Sequence, residues 1–167
     1  MAEPTVPLVS LDHEALVVRK GDRSGVYTVV AVHWTTLGPA LGGCRMTSYP
    51  TPVDAVRDAM RLSRGMTYKS AAAGLPLGGG KSVIAMEPGV DREDMLLDLA
   101  DNVESLGGLY ITAEDVGTKP SDMELIRTLT EHVVGLPPAK GGVGDPSRWN
   151  TLRALRVLRW WDGATPS

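Results

Sequence analysis

The 167-residue chain has one cysteine, no phenylalanine and no apolar run long enough to span a bilayer. The lone Cys44 excludes an intramolecular disulfide framework and fits a reducing, cytoplasmic location. The first residues lack a basic segment followed by an apolar run, so no signal peptide is expected. Lysine and arginine number 17 against 20 aspartate and glutamate residues, a net charge of −3. This balance argues against a nucleic-acid partner or an anionic membrane.

Segments typical of strands alternate with segments typical of helices, which predicts an α/β domain. The fold class expected is a mixed, mostly parallel open sheet flanked by helices. Residues 38–43 are expected to form a loop, and residues 67–74 fit either the end of a helix or a strand. The predicted strands, of which the first two form a hairpin, are residues 16–19, 26–33, 82–86 and 109–112.

Three helices are predicted from the capping residues at their amino ends. Thr51 caps the first, and Asp91 caps the second, which ends at a glycine pair. Ser121 and Glu124 form a capping box for the third, which is expected to run to about Val133.

Lys81 directly follows three consecutive glycines, residues 78–80, and precedes an apolar run of β type. Glycine allows a sharp turn and the close approach of a ligand, so a turn carrying Lys81 into a site is expected here. A lysine held out of bulk water has a lowered pKa, and its amine can act as a base. The alternative interpretation is an ordinary glycine turn with a solvated lysine.

Two nucleotide-binding patterns fit this segment poorly. A P-loop requires a glycine six positions before its lysine, where this chain has Leu75, and Gly74 stands one residue too early. A P-loop also opens a helix, whereas the residues after Lys81 resemble a strand. Neither residues 78–80 nor residues 142–144 carry the third glycine of a dinucleotide fingerprint. A nucleotide-binding enzyme is therefore the weaker alternative.

Lys69 and Asp115 are candidates for the same site as Lys81. Asp115 follows the strand at 109–112, and a carboxylate at a strand end is a common position for chemistry. Two lysines and a carboxylate suit a substrate that bears a carboxylate. One lysine binds the anion, and the pKa of the other is lowered by the first and by burial.

Other residues that could support chemistry show no such pattern. Cys44 is interpreted as a small packing residue rather than a reactive thiol. The histidines lack metal-ligand spacing, so no metal site is assigned; they are His13, His33 and His132.

Four segments in a fixed order carry a resemblance to a known family: residues 36–46, 65–69, 77–81 and 110–118. Over about residues 12–147 the chain resembles the amino-terminal substrate-binding and dimerisation domain of the glutamate/leucine/phenylalanine/valine dehydrogenases. It is most similar to the branch that acts on apolar amino acids. The resemblance implies a homo-oligomer that uses NAD to convert an amino acid reversibly to a 2-oxo acid and ammonia.

The resemblance also implies roles for individual residues. Lys81 activates the water that attacks the imino carbon, and Asp115 moves protons to and from the substrate nitrogen. The implied substrate-binding residues include Lys69, which holds the α-carboxylate, and Gly42, Gly43 and Met66, which shape that end of the site.

The substrate class is inferred from one position at which this chain differs from the glutamate enzymes of the family. Glutamate enzymes carry a lysine where this chain has Leu41, and leucine cannot hold a side-chain carboxylate. With Ala113 and Val134, Leu41 is expected to form an apolar wall that suits leucine, valine or phenylalanine. Ordinary loop packing is the alternative role for Leu41.

The implied roles conflict with the simplest topology. A right-handed parallel βαβ unit built from strands 82–86 and 109–112 would place Lys81 at the start of one strand and Asp115 at the end of the other. The two residues would then lie about a strand length apart, ~17 Å. Their convergence is expected to require an antiparallel strand or a loop that folds back.

Residues 148–167 depart from the family pattern, so the chain is divided into a domain at 1–147 and an atypical tail. The tail is rich in arginine, leucine and tryptophan, as a shifted reading frame in GC-rich DNA tends to be. A short amphipathic helix that docks or dimerises is the alternative interpretation of the tail.

Twenty residues cannot form the family's NAD-binding Rossmann domain, because one βαβ unit needs about 30. NAD is therefore expected to bind mainly to a domain missing from this chain. A non-catalytic amino-acid-binding or oligomerisation module is the competing interpretation of the chain.

We predict that the 167-residue chain alone has little or no dehydrogenase activity, because the nicotinamide lacks its binding domain. The absorbance of NADH should not rise when the chain is mixed with NAD and leucine, valine or phenylalanine. An intact dehydrogenase of the family serves as the positive control. A measurable NAD-dependent rate would contradict the prediction.

Overall fold

The computed structural model describes residues 12–135, which contain a five-stranded sheet and three helices. The predicted boundary at residue 147 and the tail at 148–167 lie outside the described residues. The strands are β1 (Ala15–Lys20), β2 (Tyr27–Trp34), β3 (Ala40–Thr47), β4 (Gly78–Ala85) and β5 (Tyr110–Glu114). The helices are α1 (Pro52–Ala72), α2 (Arg92–Glu104) and α3 (Pro120–Ile126). None of these helices is both long and apolar enough to cross a membrane.

The strands lie in the order β1-β2-β4-β3-β5. The pairs β1–β2 and β2–β4 are antiparallel, whereas β3 is parallel to both β4 and β5. The predicted hairpin and mixed sheet are confirmed, and β2 is the one strand of the five that runs against the others.

The strand β3 corrects the loop predicted over residues 38–43. Its glycine pair, Gly42 and Gly43, lowers the β-propensity of the segment and conceals the strand in the sequence. The structure needs glycine at Gly42, because a Cβ atom there would lie 1.8 Å from the carbonyl oxygen of Gly80. Gly42 therefore weakens the strand signal in the sequence and, in the structure, permits the close approach of β3 and β4.

The three glycines before Lys81 lie inside β4 rather than in a turn, so the predicted turn was wrong. A Cβ at Gly79 would come within 2.1 Å of the backbone nitrogen of Thr67 in α1, and one at Gly80 would come within 2.5 Å of the Tyr110 ring. The absence of side chains thus allows close approach, but to the protein's own helix and core rather than to a ligand.

Two of the predicted helix starts are confirmed. The Thr51 side chain accepts a hydrogen bond from the backbone N–H of Asp54, and Asp91 accepts from Glu93 and Asp94. The ambiguous segment at 67–74 continues α1 to its end at Ala72.

The third helix differs from its prediction. Ser121 lies within α3, and the backbone N–H of Lys119 donates to Asp122, so Asp122 takes the place predicted for Glu124. The helix ends at Ile126 because the chain that follows turns back to the sheet. There Val133 forms a parallel bridge with Thr112, so Val133 does not belong to the helix.

The two faces of the sheet are covered by different helices. Alternate residues of β2 and β4 pack against α1, while α2 and α3 cover the other face and bury Tyr110. Helix α1 lies mainly over β2 and β4, so the same face of β3 and β5 is only half-buried. The α1-side cluster consists of Val29, Ala31, Ala55, Ala59, Met60 and Val83.

We predict that Gly79→Ala destabilises the chain by about 1–3 kcal/mol, because the added methyl group must push α1 away from β4. Gly65→Ala is the matched control. Gly65 belongs to α1, the helix that Gly79 contacts, and a Cβ at Gly65 meets nothing within 4 Å. Replacing this helical glycine should stabilise the chain by about 0.5–1 kcal/mol. Urea unfolding followed by circular dichroism measures both changes, and equal unfolding midpoints would contradict the packing argument.

Candidate active site

Lys81 and Asp115 meet across β3. The Nζ atom of Lys81 lies 2.5 Å from Oδ2 of Asp115. Cys44 of β3 pairs with Ser82 of β4 on one side and with Glu114 of β5 on the other. Lys81 precedes Ser82 and Asp115 follows Glu114, so the two residues lie within two positions of each other along the sheet.

The expected separation of ~17 Å between Lys81 and Asp115 was wrong. Strand β4 begins at Gly78 rather than at residue 82, so Lys81 lies inside the strand instead of at its start. Because β3 separates the two strands and is parallel to both, the register places the residues close enough for the Lys81 side chain to reach Asp115. Neither an antiparallel strand nor a loop that folds back is needed.

Gly43 leaves the space that this contact occupies. It belongs to β3 between the two charged residues, and a Cβ there would lie 2.7 Å from the Cβ of Asp115. The backbone N–H of Asp115 donates to the Thr118 hydroxyl, which in turn donates to the carbonyl of Cys44. The backbone of Asp115 is thus tied to β3 through Thr118.

Burial and charge shift both members of the pair. Lys81 is only 4% exposed, and this burial lowers its pKa more than the hydrogen bond and charge of Asp115 raise it. Burial alone would raise the pKa of Asp115. The hydrogen bond from Lys81 and the charges of Lys81 and Arg45 outweigh it and hold that pKa below its usual value. The pair therefore combines an ionised carboxylate with an amine that loses its proton more easily than a free lysine.

A second pair of charged residues, Arg45 and Asp58, adjoins Lys81 and Asp115. The sequence motifs predicted no role for them. Arg45 contacts Asp115, and its Nη1 donates to Asp58 of α1 at 3.0 Å. The signal was present in the sequence, because Arg45 stands two residues after Gly43 and strand alternation places both on one face. It was missed because no strand was predicted over residues 40–47.

The residues expected to form the apolar wall lie around this face. Leu41 and Ala113 alternate with buried residues of β3 and β5, so both are half-buried on the side of Lys81. Val134 is 41% exposed beside β5, where its backbone N–H donates to the carbonyl of Thr112. Gly42 and Gly43 lie in β3 rather than in the loop expected for them.

Lys69 and Met66 belong to the last turns of α1. The backbone of Thr67 abuts Gly79, two residues before Lys81, so this part of the helix lies beside the site. Lys69 is exposed, and its ammonium group makes no hydrogen bond or ion pair within residues 12–135. The structure does not bring Lys69 and Lys81 into contact.

A buried polar cluster supports the opposite face of the same strands. The Tyr110 hydroxyl donates to the carbonyl of Gly42 at 2.7 Å and also contacts Ser82. Cys44 is fully buried beside them, and burial raises the pKa of its thiol to about 12. This favours packing over reactivity for Cys44.

His13 and His33 are close in space although the sequence shows them dispersed. Their ring centroids lie 5.0 Å apart, and Asp12 contacts both rings. Within the part of the chain that the structure describes, no group of three or more histidine, cysteine, aspartate or glutamate side chains is arranged so that it could hold a metal ion.

The sequence model of the Glu/Leu/Phe/Val dehydrogenase dimerisation domain matches residues 13–132. The chain belongs to this family. Leucine dehydrogenase from Bacillus subtilis is 51% identical over 149 residues, which are 89% of this chain and 41% of that enzyme. Valine dehydrogenase from Streptomyces virginiae is 48% identical over 148 residues, 88% of this chain and 41% of that enzyme.

A solved structure agrees with the family. The crystal structure of L-tryptophan dehydrogenase from Nostoc punctiforme superposes with a TM-score of 0.70 and 42% identity, over 75% of this chain and 37% of that chain. The resemblance carried by the four sequence segments is thus confirmed. The chain spans about two fifths of the length of the curated relatives it matches.

We predict that Asp115→Asn lowers the pKa of Lys81 by roughly one pH unit, because the carboxylate is the main influence that raises it. The ¹³Cε chemical shift of Lys81 followed against pH measures this value. Asp101→Asn is the control, since Asp101 is half-exposed and paired with Arg23. A rise in the Lys81 pKa, or an equal change in both variants, would contradict the assignment of the pair.

Proposed function

We propose that this chain supplies the amino-acid side of the active site of an NAD-dependent dehydrogenase that oxidatively deaminates an apolar L-amino acid of the leucine, valine or phenylalanine type. The observation that carries the proposal is the contact between Lys81 and Asp115 on a half-open sheet face. A buried lysine with a lowered pKa beside an ionised carboxylate is suited to general acid–base chemistry.

Each charged residue has a distinct task in this reaction. The neutral amine of Lys81 takes a proton from the water that attacks the imino carbon, and its burial favours that neutral form. Asp115 accepts a proton from the substrate nitrogen and returns it in the reverse direction. Lys69, exposed at the neighbouring end of α1, binds the α-carboxylate.

The described residues do not fit a dinucleotide. Phosphates bind at helix amino ends through free N–H groups and the helix dipole. Here the first turns of the three helices carry carboxylates, which repel a phosphate: Asp54 in α1, Glu93 and Asp94 in α2, and Asp122 in α3. We therefore assign NAD binding to a part of the enzyme other than residues 12–135.

The apolar substrate class is supported by the wall beside the charged pair. Leu41, Ala113 and Val134 offer no group that could hold a side-chain carboxylate. The Bacillus subtilis and Streptomyces virginiae relatives, which share about half of their residues with this chain over the matched region, are named leucine and valine dehydrogenases. One methylene changes selectivity by only about 1–3 kcal/mol, so the wall favours a class rather than a single amino acid.

The family is described as a dimerisation domain, which supports a homo-oligomer. We propose that the protein self-associates and acts in the cytoplasm on a free amino acid or 2-oxo acid. If the chain binds or assembles without catalysis, it is the amino-acid-binding or oligomerisation module considered above.

Isothermal titration of the 167-residue chain tests the proposed site. L-Leucine should bind and L-glutamate should not, and Lys69→Met should weaken leucine binding at least tenfold, or about 1.4 kcal/mol. Leu41→Lys should shift the preference toward glutamate, because it adds a cation to the apolar wall.

Lys20→Met is the matched control, since Lys20 is an exposed lysine at the end of β1. Its leucine affinity should equal that of the wild type. Equal losses in Lys20→Met and Lys69→Met would contradict the assigned carboxylate site, and tighter binding of glutamate than of leucine by the wild type would contradict the substrate class.

A further inference from the structure

Arg45 brings a second cation to Asp115. Its Nε atom lies 3.4 Å from Oδ2 of Asp115, the same oxygen that Lys81 contacts at 2.5 Å. The sheet register explains this position, because Arg45 pairs with Val83 of β4 and stands one residue beyond Cys44, which pairs with Glu114. A single carboxylate oxygen therefore faces two positive charges of different chemistry.

The guanidinium of Arg45 is held from its other end by α1. Its Nη1 donates to Oδ2 of Asp58 at 3.0 Å, and the Tyr49 hydroxyl donates to that oxygen at 2.9 Å. Arg61 donates to Oδ1 of Asp58 at 2.7 Å. Because both oxygens of Asp58 are engaged, the anchor of Arg45 is itself fixed in place.

The Nε–H group of Arg45 is buried and has no hydrogen-bond partner within residues 12–135. A buried donor without a partner costs free energy, so a nearby opposite charge is needed to offset the loss of hydration. Asp115 supplies that charge at 3.4 Å. Arg45 therefore makes a charge contact with Asp115 rather than a direct hydrogen bond, and Lys81 is the residue that donates a hydrogen bond to Oδ2.

The two cations respond differently to proton transfer. A lysine amine can lose its proton, whereas a guanidinium keeps its proton at every working pH. If Lys81 were the only partner of Asp115, its deprotonation would leave the half-buried carboxylate uncompensated, and the pKa of Asp115 would rise. Arg45 prevents this, because its positive charge persists when that of Lys81 is lost.

We infer that Arg45 is a positioning residue, the permanent counter-ion that holds Asp115 in place and keeps it ionised, ready to accept the proton of the substrate nitrogen, while Lys81 releases and regains its own proton. This inference rests on the proposed function, in which Lys81 alternates between its charged and neutral forms. It assigns to Arg45 no contact with the substrate.

The decisive test removes Lys81 and measures Asp115. In Lys81→Met the pKa of Asp115, measured from the pH dependence of its carboxyl ¹³C shift, should stay below the usual aspartate value of about 3.9, because Arg45 remains beside it. In the double variant that adds Arg45→Gln, the same pKa should rise by roughly one pH unit or more. A rise well above the usual value in Lys81→Met alone would overturn the inference.

A second measurement follows Lys81 in the single variants. Arg45→Gln should raise the pKa of Lys81, because it removes a nearby positive charge, and Arg45→Lys should restore the wild-type value. Arg61→Gln is the matched control: it removes one positive charge from the same Asp58 cluster at a side chain that is 69% exposed. A purely structural role predicts lower unfolding midpoints for the Arg45 variants with unchanged titrations, and that result would overturn the inference.

These titrations use the 167-residue chain without ligand, so they are independent of the substrate. Leucine binding by the wild-type chain without the predicted titration shifts would refute the role of Arg45 alone. The predicted shifts without binding of any amino acid would refute the proposed function and leave the charge arrangement standing.

Discussion

The close approach of β3, β4 and α1, permitted by glycines without side chains, is the constraint on which the site depends. Gly42 lets β3 lie against the backbone of Gly80, and Gly79 lets α1 settle on β4. Gly43 then leaves the space through which Lys81 reaches Asp115. A methyl group at any of these positions would meet backbone or a rigid neighbour, so the charged pair could not form without moving a strand or a helix.

The charges are arranged so that proton transfer does not leave an isolated ion in a half-buried site. Burial lowers the pKa of Lys81, so its amine loses a proton more easily than that of a free lysine. Asp115 has a second cation beside it, and that cation is anchored to α1 through Asp58. Helix α1, which covers β4, thereby also holds the positive charge of Arg45 in place beside Asp115.

The sheet divides structural and chemical tasks between its two faces. The face covered by α2 and α3 buries Tyr110 and Cys44 and ties β3 to β4 and β5 through hydroxyl hydrogen bonds. The other face is closed by α1 over β2 and β4 but remains half-open over β3 and β5. Leu41 and Ala113 lie on the part of this face that α1 leaves open, which is the side assigned to the substrate in the proposed function.

The sequence by itself determined the hairpin, the first two helix caps and the family, because these depend on local propensity, capping chemistry and motifs in a fixed order. It also identified Lys81 and Asp115 as partners. Tertiary structure decided that β3 is a strand, since the advantage of glycine at Gly42 and Gly43 lies in contacts with residues distant in sequence. It also decided the meeting of Lys81 with Asp115 and the position of Arg45, because both follow from the insertion of β3 between β4 and β5, a register that no local pattern encodes.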